Sequence, residues 1–360
     1  MASSVRPPGP ERCFVAPTAR VSSPFVPVEL VLLAQPRGFC AGVEMAIKAL
    51  AWMVRVHDPP VYCYHEIVHN RLVVERFRDV GVIFVDDVSE VPEGAPLMLS
   101  AHGTAPDVVE AARARGGVVV DAVCPLVTKV HHEVKVRSGK GYTVLYVGHE
   151  GHDEAVGTMA VAPDAVALVE SEVDVDDLGL DEDSPVALLA QTTLAMQDWA
   201  GVMERARQRF PQLWMPGRSD LCFATTNRQT ALTAIAGRAD AVIVIGSQNS
   251  SNTVALVKTA VSAGCGRVLR VNSADEVPDD LDGVVGVTAG ASAPEELVEA
   301  ILAKLAPASG VEAVEVTDED EYFPPPRELR TLLAEHGVSE NLAGDRAVSA
   351  SEVLASLHRH

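Results

Sequence analysis

Three cysteines stand where an extended polar turn gives way to a helical pattern: Cys40 in PRGFCAGV, Cys124 in DAVCPLVTKV and Cys222 in DLCFATTNRQ. They lie 84 and 98 residues apart, far beyond the spacing of a zinc knuckle or a CxxC redox pair. Val43, Ile47, Leu50 and Val54 follow Cys40 at helical spacing, as Leu126, Val130 and Val134 follow Cys124; Leu232, Ile235 and Ala236 give a weaker version after Cys222. A thiol at the mouth of a helix meets the positive end of the macrodipole, which favours the thiolate that a metal requires. Three thiolates without an obvious fourth ligand suit iron–sulfur better than structural zinc, which closes four ligands. In a [4Fe–4S] cluster held by three Cys, one iron stays open as a Lewis acid. Cys13, Cys63 and Cys265 have no matching partners along the chain and read as small core hydrophobes.

A second set of chemistry-bearing residues stands at polar tips that end apolar runs. These are His69, His102 and His152, with Ser250, Ser251, Asn252 and Ser292, and no Lys or Arg among them. Histidine donates hydrogen bonds and takes up charge as an anion arrives, so the group reads as a cradle for a phosphate or diphosphate. SAHG, QTTL and TAGAS are each expected to open a helix and turn backbone N–H groups toward the ligand. Glu154 follows His152 closely, and Thr192 and Thr193 stand on a matching tip. A carboxyl and a hydroxyl in one cavity could pass a proton to a leaving group. On spacing alone Glu154 is equally a solvated first-turn acid, and NSSN an ordinary N-cap. His65, His131 and His132 read as surface or capping residues.

The elements that must position these residues recur three times. Each third of the chain runs in the order Cys and helix, then an apolar strand with a polar tip (61–70, 142–153, 241–252), then a helix and a short strand. A second apolar strand with its own tip and helix follows (95–116, 184–210, 283–305). Strands that alternate with helices and read as continuous apolar runs predict parallel sheets. The expected fold is therefore α/β, with three similar parallel-sheet domains in a pseudo-threefold cloverleaf about one central site. The expected boundaries are 29–123, 124–220 and 221–308, with a last strand and proline-stiffened crossing arm at 309–334. Residues 1–28 read as a disordered extension and 335–360 as a tail with one short helix. The acidic stretches 170–183 and 275–282 read as solvated loops.

With 360 residues, 48% of them hydrophobic, there is material for two or three cores. The formal charge of −21 argues against a nucleic-acid or anionic-membrane binder, and any anionic substrate must find a locally favourable pocket. No apolar run approaches the ~18 residues of a membrane span. Six cysteines without close spacing do not form a secreted disulfide framework, so a soluble, cytoplasmic protein in a reducing compartment is expected. A short transit peptide within the Arg/Ser-rich residues 1–28 stays open.

Taken together, PRGFCAGV, HEIVHN, SAHG, DAVCPLVTKVH, GHEGHDEAVGT, QTTL, DLCFATTNRQ, GSQNSSNT and TAGASAPE resemble the 4-hydroxy-3-methylbut-2-enyl diphosphate reductases, over about residues 28–330. The resemblance implies an oxygen-sensitive [4Fe–4S] cluster on Cys40, Cys124 and Cys222. It implies diphosphate binding by His69, His102, His152, Ser250, Ser251, Asn252 and Ser292. Glu154 and Thr192, with Thr193 beside them, would handle the substrate hydroxyl and its proton. The implied reaction is a two-electron reductive dehydroxylation of a small allylic diphosphate, giving isopentenyl and dimethylallyl diphosphate. Electrons would come from an external donor of ferredoxin or flavodoxin type. The sequence departs from the commonest pattern where GHPEVEGT reads GHDEAVGT and SSNS reads SSNT. Two other readings compete: a quinolinate synthase-like enzyme, which should lack the HN and NSSN tips, and a zinc-stapled or redox-sensing binding protein.

Overall fold

The computed structural model describes residues 27–339 and 344–357. Cys13 and the expected N-terminal extension up to residue 26 lie outside the described residues. The chain opens with β1 (Val28–Gln35), passes Cys40 and enters α1 (Ala41–Val56). The first lobe continues through β2 (Val61–Tyr64), α2 (Arg71–Asp79), β3 (Val82–Val85), β4 (Leu97–Leu99), α3 (Pro106–Ala114) and β5 (Val119–Asp121). After Cys124 come α4 (Pro125–Ser138), β6 (Thr143–Val147), α5 (Asp153–Met159), β7 (Val166–Val169), α6 (Glu172–Asp177), β8 (Val186–Ala190) and α7 (Met196–Arg209). After Cys222 come α8 (Phe223–Ala236), β9 (Ala241–Ile245), α9 (Ser251–Ser262), β10 (Val268–Val271), β11 (Gly283–Ala289), α10 (Glu295–Leu305) and β12 (Val311–Glu315). The chain then runs through α11 (Arg327–Glu335) and α12 (Ala350–Ala355).

Three parallel sheets form, in the orders β3-β2-β4-β5, β7-β6-β8 and β10-β9-β11-β1-β12. Beside β8, on the edge away from β6, Trp214 makes a parallel bridge to Ala187 and takes the place that β5 holds in the first sheet. In the third sheet that place belongs to β1. The first strand therefore departs from the expected boundary at residue 29: it pairs with β11 and β12, not with the strands of its own segment. The reason is geometric. Each Cys ends a strand of one lobe and starts a helix that packs on the next: α1 shares its core with β2, α4 with β6 and α8 with β1 and β11. The cysteines are the lobe crossings, and β1 closes the ring.

Both faces of each sheet are covered, as parallel sheets require. In the third sheet Val31, Ile243 and Val287 pack toward α10 on one face, while Leu32, Val242 and Val244 pack under α8 and α9 on the other. Beyond β12 the proline-stiffened arm crosses to the first lobe, where Leu329, Leu332 and Leu333 of α11 join the core of α1. The expected tail helix is α12, capped by Ser349, and it buries Val353 and Leu354 in the same cluster. The acidic stretch at 170–183 is not wholly loop. Ser171 and Asp174 form a capping box, Val175 is buried, and α6 results. Among the described residues no helix is long and apolar enough to cross a membrane.

Candidate active site

The three cysteines occupy equivalent positions. Each is the N-cap of its helix, α1, α4 or α8. Each donates its backbone N–H to a carbonyl on the second tip of the preceding lobe: Cys40 to Ala291 at 3.2 Å, Cys124 to Ala101 at 3.0 Å and Cys222 to Thr192 at 3.0 Å. One motif repeated at three crossings brings three thiols to one central cavity. Gly42 closes the packing there. A Cβ on it would lie 2.8 Å from Cys124 Sγ and 3.9 Å from Cys40 Sγ, so the first turn of α1 lies directly against two of the thiols.

The same cavity is lined by His69, His102, His152, Glu154, Thr192, Thr193, Ser250, Ser251, Asn252 and Ser292, so every residue singled out from the sequence borders it. The protein environment alone does not give the expected depression of the thiol pKa values. Burial raises all three, Cys222 to about 12, and outweighs the hydrogen bonds from the first-turn backbone N–H groups; Cys40 raises the other two further. Three buried thiols that repel one another as thiolates, with a glycine clearing the space between them, fit a cationic iron–sulfur group bound from three sides.

The histidines line the same cavity as the thiols. The His69 and His102 rings stack with centroids 3.9 Å apart, and His152 meets them edge-on at 5.3 and 6.0 Å. His152 Nδ1 accepts the Glu154 backbone N–H at 3.1 Å, which leaves its proton on Nε2. Burial, and then the neighbouring His69, lower His152 to about 4; the same two causes, with His152, drive His102 well below the usual histidine range. His102 Nε2 is buried without a partner among the described residues, an orphan that an anion or its hydroxyl can satisfy. Among the described residues no Lys or Arg lines the cavity.

Glu154 is 2% exposed. Its Oε1 accepts the Thr192 N–H at 2.7 Å and its Oε2 accepts the Thr192 hydroxyl at 2.9 Å, with Tyr146 Oη at 3.5 Å. Burial raises its carboxyl to about 7 although these hydrogen bonds pull it down. The solvated first-turn acid that the sequence allowed is thus a buried one. The second tips also differ from expectation. SAHG, QTTL and TAGAS form turns, and their helices begin only at Pro106, Met196 and Glu295. Gly103 sits at φ +91°, a left-handed conformation that stops a helix from starting at His102. The tip amides are spent elsewhere: Thr192 N–H on Glu154, and Ala291 N–H on Asn252 Oδ1 at 2.9 Å.

Several site residues carried no separate signal. Gln191 donates to Ser251 Oγ at 3.0 Å and Thr193 Oγ1 at 3.1 Å, tying the second lobe to the third. Ser292 Oγ donates to the His69 carbonyl at 2.9 Å and ties the third to the first. Asp153 meets His65 Nδ1 at 2.9 Å and ties the second to the first. His65 therefore has a locking role, not a plain surface one. Thr225 lies 3.0 Å from Cys222 Sγ and accepts from Asn252 Nδ2 at 3.4 Å, linking thiol to cradle. Gln191 and Thr225 sit inside quoted motifs, and Thr225 is three residues past Cys222 on its helix face. That spacing was the available clue.

Fold and site together define a three-lobed parallel α/β protein of the enzyme type, with its candidate site at the lobe crossings. The family model for the LytB protein matches residues 31–306. The 4-hydroxy-3-methylbut-2-enyl diphosphate reductase of Rhodopirellula baltica is 46% identical over 86% of this chain and 98% of its own, and that of Nocardia farcinica is 48% identical over 84% and 91%. The solved structure of the E-1-hydroxy-2-methyl-but-2-enyl-4-diphosphate reductase from Plasmodium falciparum superposes with a TM-score of 0.83 at 31% identity, covering 86% of this chain and all of that one. The chain belongs to the LytB family of 4-hydroxy-3-methylbut-2-enyl diphosphate reductases. The quinolinate synthase-like and zinc-stapled readings fall away with that assignment.

Proposed function

We propose that the chain reduces 4-hydroxy-3-methylbut-2-enyl diphosphate to isopentenyl and dimethylallyl diphosphate, the terminal step of the non-mevalonate isoprenoid route. Two electrons and two protons enter, and the C4 hydroxyl leaves as water. The observation that carries this reading is the convergence of three thiols, a buried acid and a cationless polar cradle on one cavity. LytB-family enzymes are iron–sulfur enzymes, and Cys40, Cys124 and Cys222 are the residues that would hold a [4Fe–4S] cluster here. When bound, that cluster supplies the reducing electrons and, at the iron the three thiols leave free, Lewis acidity toward the substrate oxygen.

The protein's own part is binding and proton delivery. Neutral His102 and His152 offer ring N–H groups, and Ser250, Ser251, Asn252 and Ser292 offer neutral donors, so the diphosphate meets directional hydrogen bonds in place of fixed charge. Val43, Val68 and Leu126 line the same cavity and exclude water from the five-carbon chain. Glu154, with its carboxyl at about 7, holds a proton at neutral pH in a substantial fraction of molecules. With Oε2 protonated, the 2.9 Å bond reverses: Glu154 donates to Thr192 Oγ1, whose own proton turns to the departing hydroxyl. Thr193, held by Gln191, stands beside this relay. Electrons arrive from an external one-electron donor, for which a ferredoxin or flavodoxin is the expected type.

Anaerobic turnover of the hydroxylated diphosphate with reduced viologen, with both products identified, tests the reading. Cys124→Ser should abolish turnover and lower bound iron and acid-labile sulfide severalfold, whereas Cys265→Ser should retain both. Full iron and activity in the Cys124→Ser protein would rule out the three-thiol site.

A further inference from the structure

One buried charged network beside the thiols has no part in the relay or the cradle. Arg228 is 1% exposed. Its Nε and Nη2 donate to the Gly38 carbonyl at 3.1 and 2.8 Å, Nη2 reaches the Phe39 carbonyl at 3.3 Å, and Nη1 donates to the Ala224 carbonyl at 3.0 Å. The guanidinium thus fastens the turn that precedes Cys40 to the helix that follows Cys222. Its charge is felt at both thiols. The counter-charge comes from far along the chain: Nη1 meets Glu319 Oε1 at 3.0 Å and Oε2 at 3.1 Å, and Asn227 Nδ2 also donates to Oε2 at 3.0 Å. Glu319 stands on the arm between β12 and α11. Four residues on, Phe323 of the same arm borders both the central cavity and an outer cavity of about 280 Å³ lined by Phe39, Glu44 and Lys48. The arm is the wall between the thiols and that outer space.

We propose that Glu319 is a positioning residue for the redox step: by neutralising Arg228 it holds the reduction potential of the group on Cys40, Cys124 and Cys222 low. The inference rests on the reading that those thiols hold a [4Fe–4S] cluster. Cluster potentials follow the net charge and hydrogen bonding around the sulfurs. An uncompensated buried cation favours the reduced, more negative cluster, and a carboxylate in contact with that cation cancels much of the effect. Glu319 therefore keeps the bound group a strong reductant, which removal of a hydroxyl demands. The arm adds this charge from outside the three repeats, so it acts independently of the cradle and of Glu154.

The test is an anaerobic redox titration of the holoenzyme followed by electron paramagnetic resonance, with iron and sulfide counted in each protein. Glu319→Gln keeps the shape and removes the charge. It should keep its iron and move the potential in the positive direction by about a tenfold change in the one-electron equilibrium constant, near 59 mV. The double variant Glu319→Gln/Arg228→Gln removes both charges and should return toward the parent value, an outcome a purely structural effect does not give. A Glu319→Gln potential equal to or below that of an intact parent, or a double variant no nearer the parent than the single one, would overturn the inference alone. A parent protein that takes up no iron and sulfide on anaerobic reconstitution would overturn the cluster reading with it.

Discussion

At the scale of single residues the decisive group is Glu154, because one physical cause, burial, sets both its chemistry and its cost. Its folded value is raised from the ordinary 4.5 to about 7, so the folded chain keeps a proton that the unfolded chain has already released. The sign follows. Below pH 4.5 the group is neutral in both states and contributes nothing; as pH rises from 4.5 toward 7 stability falls, and above 7 the penalty levels at about 3 kcal/mol. Turnover limited by the proton should likewise decline as pH rises through about 7. Glu154→Gln preserves acceptance of the Thr192 N–H and removes the acid. We expect a rate loss of about 10²–10⁴ with substrate Kd little changed, measured by anaerobic kcat beside a separate binding titration. The same variant should match or exceed the parent's thermal stability at pH 8 and lose that advantage at pH 5. Wild-type turnover by the Gln variant would return Glu154 to a structural role.

At the scale of elements, the start of α1 shows how a helix terminus is built around the thiols. Glycine inside a helix ordinarily costs about 1 kcal/mol relative to alanine. At Gly42 that preference is opposed by the sulfur atoms, since the missing Cβ would stand 2.8 Å from Cys124 Sγ. Gly42→Ala should therefore leave the far-ultraviolet helical signal intact while the iron retained after reconstitution falls severalfold. Iron content equal to the parent would show that α1 can shift to admit the methyl group. The tips follow the same logic. Gly246 and Gly290 lie on neighbouring strand ends, and a Cβ on either would meet Thr253 Oγ1 at 2.3 or 2.4 Å. Bare backbone there lets α9 bring Ser250, Ser251 and Asn252 up to the cavity.

At the scale of the molecule, the ring of lobes is closed by its two ends in different ways. The strand β1 fills an interior place between β11 and β12, so it is structural for the third lobe. The tail helix α12 covers the first lobe: Val353 and Leu354 are buried against the α1 core, and the Ala350 N–H donates to Glu44 Oε2 at 2.8 Å. Ending the chain after Gly337 removes Val353, Leu354 and the smaller Ala350 from the core, together with the Arg346 contact to Asp320 of the arm. Burial of an aliphatic side chain stabilises by ~1.5–3 kcal/mol, so we expect a loss of roughly 3–5 kcal/mol in denaturant unfolding with iron content and turnover retained. Loss of iron in the shortened protein would give the tail a part in the site.

The sequence by itself determined the three crossings and, Thr225 apart, the polar and thiol side chains that border the cavity. Local patterns carry that information: an apolar strand, a polar tip and a helix start are each written within a dozen residues, and three copies reveal one another by their spacing. It also determined that the sheets are parallel, because strands covered on both faces read as continuous apolar runs. Tertiary structure alone decided which lobe each strand joins. The place of β1 depends on which neighbour offers the better edge, and no periodicity in VELVLLAQ records that. It alone decided the protonation chemistry as well, since burial reverses the expected shift at Cys40, Cys124 and Cys222 and raises Glu154 by a cause invisible in GHEGHDEA. Glu319 shows the limit most plainly. In the run DEDE one carboxylate is nothing special until the arm folds across the lobes, and 91 residues of chain separation from Arg228 become a 3.0 Å contact.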